Sequence, residues 1–94
     1  MNARLHVFVS GKVQGVSYRG YARRAALELG LKGWVRNLYD GRVEAVAEGP
    51  RPDLEIFIGR LEAGPAAARI ESLDIRWEAY AEEFPDFKIA WLDF

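Results

Sequence analysis

The stretch Gly33–Gly49, GWVRNLYDGRVEAVAEG, reads as two strands folded back on each other. GWVRN (Gly33–Asn37) and RVEAVAE (Arg42–Glu48) are rich in valine, and Tyr39-Asp40-Gly41 between them is a turn signal. Gly49 and Pro50 end the second strand. On either side of this hairpin the period changes. Upstream, Tyr18, Ala22, Ala25, Ala26 and Leu29 recur at helical spacing. Gly30 stops that helix, and Leu31 supplies the apolar contact of a C-terminal glycine cap. Downstream, Pro52 and Asp53 open a second helix with Leu54, Phe57, Ile58 and Leu61 on one face, and Gly64-Pro65 ends it. Beyond each helix the pattern alternates again. Leu5, Val7 and Val9 are interleaved with His6, Phe8 and Ser10, and Leu73, Ile75 and Trp77 with Ser72, Asp74, Arg76 and Glu78. Phe87, Ile89 and Trp91 suggest a short fifth strand near the end.

The element order is therefore βαββαβ. It predicts an α+β fold, a ferredoxin-like two-layer sandwich with an antiparallel sheet and two helices on one face. The alternation suits strands with one covered face. At 94 residues the chain is expected to form one domain spanning 1–94, with no repeat and no linker.

Composition narrows the chemistry. Half of the residues are hydrophobic, enough for a single core. There is no cysteine and one histidine, His6, so disulfides, thiolate metal sites and multi-histidine sites are excluded. A net charge of −1 argues against a partner bound mainly by phosphate neutralisation, such as duplex DNA. No signal-peptide pattern and no apolar run of about 20 residues is present, so the expectation is a cytoplasmic protein that does not engage a membrane.

The first helix breaks an electrostatic rule. Acids favour helix N-termini and bases C-termini. The second helix conforms, with Asp53 and Glu55 early and Arg60 late, but the first has Arg19, Arg23 and Arg24 in its first half and Glu28 near its end. A bound anion would offset that cost, because helix-start amides already form an anion site. The preceding stretch GKVQGVSYRG (Gly11–Gly20) holds two glycines that can turn further amides inward. Arg19 would add a planar fork of donors suited to phosphate oxygens. Exposed helical arginines are common, and Arg23 and Arg24 read as a solvated face. The spacing is neither a Walker loop nor a dinucleotide fingerprint.

The helix-linked first and second strands should run parallel, with the third between them. Both then finish at one end of the sheet, which brings Asn37 toward the glycine loop and Arg19. Asn37 is either a turn residue before LYDG or an amide able to hold a water by accepting its proton.

Two segments, GKVQGVSYR and GWVRNLYDGRVEAVAEG, resemble the two signatures of the acylphosphatase family, in order and separation, and the resemblance runs through almost the whole chain. It implies hydrolysis of the carboxyl–phosphate anhydride of small-molecule acyl phosphates, by a monomer, without metal or other cofactor and without a covalent phosphoenzyme. The family's catalytic arginine and asparagine fall on Arg19 and Asn37. Its phosphate cradle falls on the backbone amides of Gln14, Gly15, Val16, Ser17 and Tyr18, where inorganic phosphate or sulfate would also bind. The chemistry suits these residues, because the leaving carboxylate has a conjugate acid of pKa about 4 and needs no general acid.

The remaining polar residues read as structural: His6 within the first strand, and Glu82, Glu83 and Asp86 as a solvated connection. Trp34, Trp77 and Trp91 read as core or sheet-face packing. A fold-back of the Phe94 carboxylate onto Arg19 is a further expectation. Two rivals remain. RNA-recognition modules share the element order but need exposed aromatics on central strands, where RVEAVAE has glutamates. The second rival is a noncatalytic or specialised anion-binding domain: acylphosphatase-like domains also occur within larger hydrogenase-maturation proteins, whereas a one-domain chain points to a free-standing enzyme.

Overall fold

A computed structural model describes residues 1–90 of the chain; Trp91 and Phe94, and with them the fold-back of the terminal carboxylate, lie outside the described residues. The elements are β1 (Asn2–Lys12), α1 (Tyr18–Glu28), β2 (Lys32–Asn37), β3 (Val43–Pro50), α2 (Arg51–Ala63), β4 (Arg69–Glu78) and β5 (Phe87–Ile89). The sheet order is β4-β1-β3-β2-β5. β3 lies antiparallel to both β1 and β2, so those two are parallel to each other, as the helix connection requires. The expectation of a purely antiparallel sheet needs one correction: β5 pairs with β2 in parallel, Val35 opposite Ile89. A chain returning from β4 to the far edge passes the whole sheet, so it arrives in the direction of β2.

Alternation decides the faces. Leu5, Val7 and Val9 of β1, Val43, Ala45 and Ala47 of β3, and Val35 of β2 point to one side and are buried. Tyr18, Ala22, Ala25 and Ala26 of α1 and Leu54, Phe57 and Leu61 of α2 close over them. Phe87 completes the core, edge-to-face with Phe57 at 6.0 Å. The small alanines of α1 let that helix lie close to the sheet.

The other face of the sheet is polar and paired. His6 lies between Glu44 (2.6 Å) and Glu78 (2.9 Å), and Arg36 binds the second oxygen of Glu44. This confirms a structural place for His6. Glu48 accepts the amides of Ala81 and Glu83 and so pins the segment between β4 and β5. Trp34 is half-buried; Trp77, on the edge strand, is 37% exposed with Arg51 stacked 3.6 Å from its ring, so it is not a core residue.

Helix ends follow the local sequence. At the end of α1 the Leu31 amide donates to Ala26 and the Gly30 amide to Leu27, with Gly30 at φ 70° and Leu31 buried. These are the paired bonds of a Schellman cap. Arg23 is exposed as expected, yet its Nε donates to the Phe87 carbonyl and ties α1 to β5.

Candidate active site

β1 ends at Lys12 and α1 begins at Tyr18, and the turn between them is built by two different uses of glycine. Gly11 has φ 131°, and a Cβ there would lie 2.1 Å from the Arg69 carbonyl oxygen of β4. That glycine allows a close strand approach at the β1–β4 irregularity; it is not part of an anion turn. Gly15, at φ 74° with open space around it, is the residue that reverses the backbone.

Ser17 follows at φ 62°, ψ 27°, while Val16 between them is not at positive φ. Alternating backbone hand turns neighbouring amides toward one side. Serine is a good helix N-cap in extended backbone, where its hydroxyl binds an amide of the first turn. Here Ser17 is left-handed and makes no side-chain cap bond. Holding a non-glycine residue in this region costs about 1–3 kcal/mol. The first backbone bond of the helix is Tyr21 N–H to Ser17 C=O at 3.0 Å, so the amides of Tyr18, Arg19 and Gly20 have no acceptor within the helix. The first turn contains no acid. Half-buried Arg19 lies on that turn. The segment thus concentrates donors and positive potential at one point, opposite in sign to the start of α2 with Asp53.

Asn37 is the last residue of β2 and pairs with Val43, which on its other side pairs with Val9. Asn37 therefore stands level with the end region of β1, two strand spacings or about 10 Å across the sheet. Gly33 and Val35, on its side of β2, are buried, so Asn37 faces the helix layer. Its Oδ1 is buried and accepts no hydrogen bond from any of the described residues.

Three side chains hold these pieces through contacts invisible in the sequence. The Gln14 side chain donates from Nε2 to the carbonyls of Leu38 (2.7 Å) and Arg42 (3.0 Å), linking the turn after β1 to the hairpin after Asn37. The Tyr18 hydroxyl donates to the Leu61 carbonyl at 2.7 Å, and the Tyr21 hydroxyl to that of Arg60 at 2.8 Å. Both tyrosines cap the end of α2 from the start of α1. Burial, with a smaller contribution from Tyr21, pushes the Tyr18 phenol far above its ordinary pKa, so it remains a donor.

A family model described as acylphosphatase matches residues 5–89. The chain belongs to the acylphosphatase family. It is 52% identical over 89 residues to an acylphosphatase of Roseiflexus sp. strain RS-1, covering 95% of this chain and 96% of that one. Among solved structures, the acylphosphatase of Bacillus subtilis superposes with a TM-score of 0.91 at 32% identity, over 96% of this chain and 99% of that one. The HypF protein of T. kodakarensis matches with a TM-score of 0.83 and 35% identity over 99% of this chain, but only 12% of its own length. The acylphosphatase fold thus also forms part of a much longer chain.

For an acylphosphatase, the sequence-derived residues fall into one neighbourhood: Gln14, Gly15, Val16, Ser17 and Tyr18 form the turn and helix start, and Arg19 follows on the first turn. Asn37 lies at the strand end to which Gln14 connects that turn. Phe8, the aromatic residue that β1 places on the polar face of the sheet, has the guanidinium groups of Arg42 and Arg76 at 4.8 and 5.0 Å from its ring centre. Among the described residues no cluster of histidine, aspartate and glutamate forms a metal-holding group.

Proposed function

We propose that this chain hydrolyses acyl phosphates with the amides of residues 14–18 and Arg19 holding the phosphoryl group and Asn37 holding the attacking water. The observation that carries this reading is the Oδ1 of Asn37, buried and without a hydrogen bond among the described residues, at the strand end joined to the donor-rich turn. A binding domain has no use for a lone acceptor beside an anion site, since it would repel the anion. A hydrolase has one, because a water donating to Oδ1 is left with a lone pair directed elsewhere.

Water attacks phosphorus as the bond from phosphorus to the carboxyl oxygen breaks. The electron pair leaves with the carboxylate, and the protons of the water pass to phosphate and solvent. The carboxylate is a good leaving group at neutral pH, so no protonating side chain is needed. Charge moves onto the equatorial oxygens, where fixed amides and the guanidinium fork meet it without reorganisation. The mechanism assigns no step to a metal. No described helix is long and apolar enough to cross a membrane. We read the chain as a single cytoplasmic domain that acts as a monomer on small acyl phosphates and also binds phosphate or sulfate.

Asn37→Ala tests the assignment. Turnover of benzoyl phosphate should fall steeply, since positioning accounts for up to about 7–11 kcal/mol of such barriers. Phosphate affinity by calorimetry and the thermal midpoint should change little. Parallel loss of turnover and phosphate affinity in a folded variant would put Asn37 on the phosphate, and unchanged turnover would make it a turn residue only.

A further inference from the structure

The two carbonyls bound by Gln14 do not need it. Leu38 C=O already accepts from the Gly41 amide at 3.2 Å, and Arg42 C=O from the Leu38 amide at 2.8 Å. The β2–β3 turn is closed by its own backbone. Nε2 of Gln14 is a second donor to each oxygen, reaching across 24 and 28 residues of chain. What these bonds add is a cross-link. One end is the turn that carries the amides of residues 15–18, and the other is the residue next to Asn37.

We propose that the Gln14 side chain is a positioning residue that sets the separation between the phosphoryl-binding turn and Asn37. This rests on the reading of Asn37 given above. The geometry is suited to it. A primary amide offers two N–H donors on one nitrogen, and the carbonyls of Leu38 and Arg42 face it together from the mouth of the turn. Two bonds to two points fix a direction as well as a distance. The backbone of Gln14 is continuous with Gly15, the flexible residue of the turn. Without the cross-link, Gly15 lets the turn shift relative to the sheet while the hairpin keeps its shape. The phosphoryl group moves with the turn, and the water stays with Asn37.

Gln14→Met keeps the length and shape of the side chain but has no donor. Gln14→Glu keeps the length and presents a carboxylate to two carbonyls at neutral pH. Both should lower kcat for benzoyl phosphate by roughly 10²-fold, the scale of a misplacement of about 1 Å. The inhibition constant of inorganic phosphate should stay within about threefold, because the turn and Arg19 still bind it. The decisive comparison repeats Gln14→Met in the Asn37→Ala background. With no water held by Asn37, the second substitution should cost less than about threefold more. An equal fold-loss in both backgrounds would overturn the proposal and reduce Gln14 to a general support of the fold. A rise in the phosphate inhibition constant matching the loss of kcat would also overturn it, by placing Gln14 in the shaping of the turn itself. If Asn37→Ala alone leaves kcat intact, the reading of Asn37 fails first, and the single variant shows this independently.

Discussion

Tyr18→Phe removes one oxygen atom from the interior, and its effect follows from what that oxygen does. The Tyr18 ring is 1% exposed, and its hydroxyl donates to Leu61 C=O, one of the last four carbonyls of α2 and so without an acceptor role inside the helix. Phenylalanine fits the same space but strands that buried carbonyl. The cost of an unsatisfied buried group is about 1–3 kcal/mol. With a domain of this size losing roughly 4–8 °C per kcal/mol, a central value of about 2 kcal/mol lowers Tm by roughly 8–16 °C. Tyr21→Phe is the internal control. Its acceptor, Arg60 C=O, also receives the Gly64 amide at 3.0 Å, so no carbonyl is stranded. That variant should lose only the net value of one half-buried bond, about 0.5–1.5 kcal/mol. Differential scanning calorimetry of the two variants beside the parent gives the ranking directly. If Tyr21→Phe costs as much as Tyr18→Phe, the carbonyl accounting is wrong.

Other expectations follow from single contacts. Arg19→Lys keeps a charge but loses the bidentate fork, so both KM and kcat should worsen; near-normal kinetics would leave Arg19 as a general positive charge. Gly11→Ala drives a Cβ to 2.1 Å from the Arg69 carbonyl, so β1 and β4 must part locally and Tm should fall, by overpacking worth roughly 1–3 kcal/mol, whereas an unchanged Tm would refute that approach. The Asp40 carboxyl is held below its usual pKa by the Arg42 amide and then the Arg42 guanidinium. Its contribution is therefore present above the unfolded value of about 3.9 and lost as pH falls through the lowered folded value. In low salt the Tm gap between the parent and Asp40→Asn should close as acid is added, and a gap that widens would reverse the sign of the coupling.

The hairpin, both helices and their glycine stops were legible because each depends on neighbours in sequence. Leu54, Phe57 and Leu61 had to share a face, and Gly30 had to end α1 once Leu31 was available to pack. The direction of β5 was not legible. Phe87 and Ile89 alternate in the same way whether the strand runs with β2 or against it, and only the path taken by the connecting chain decides. The two glycines around the turn looked alike as letters, yet Gly11 answers to Arg69 and Gly15 to the reversal of the chain. The proposed site is legible in the sequence where it depends on backbone and charge, as in the inverted polarity of α1. The sequence points to Gln14 for its backbone amide and not for its side chain, since a glutamine reaching Leu38 and Arg42 leaves no periodic trace.

The place of β3 has a consequence for how the site comes into being. A growing chain that has produced β1, α1 and β2 already contains Gln14, Arg19 and Asn37, but β1 and β2 are not neighbours and cannot align them. Only when Val43 is placed between Val9 and Asn37 do the two halves reach a common level. The β1–β3 pairing joins residues far apart in sequence, Val9 with Val43, so loop-closure entropy is spent before the contacts that reward it are made. A site built from these residues is therefore a late product of folding, and phosphate binding there would report that the central strand has been inserted.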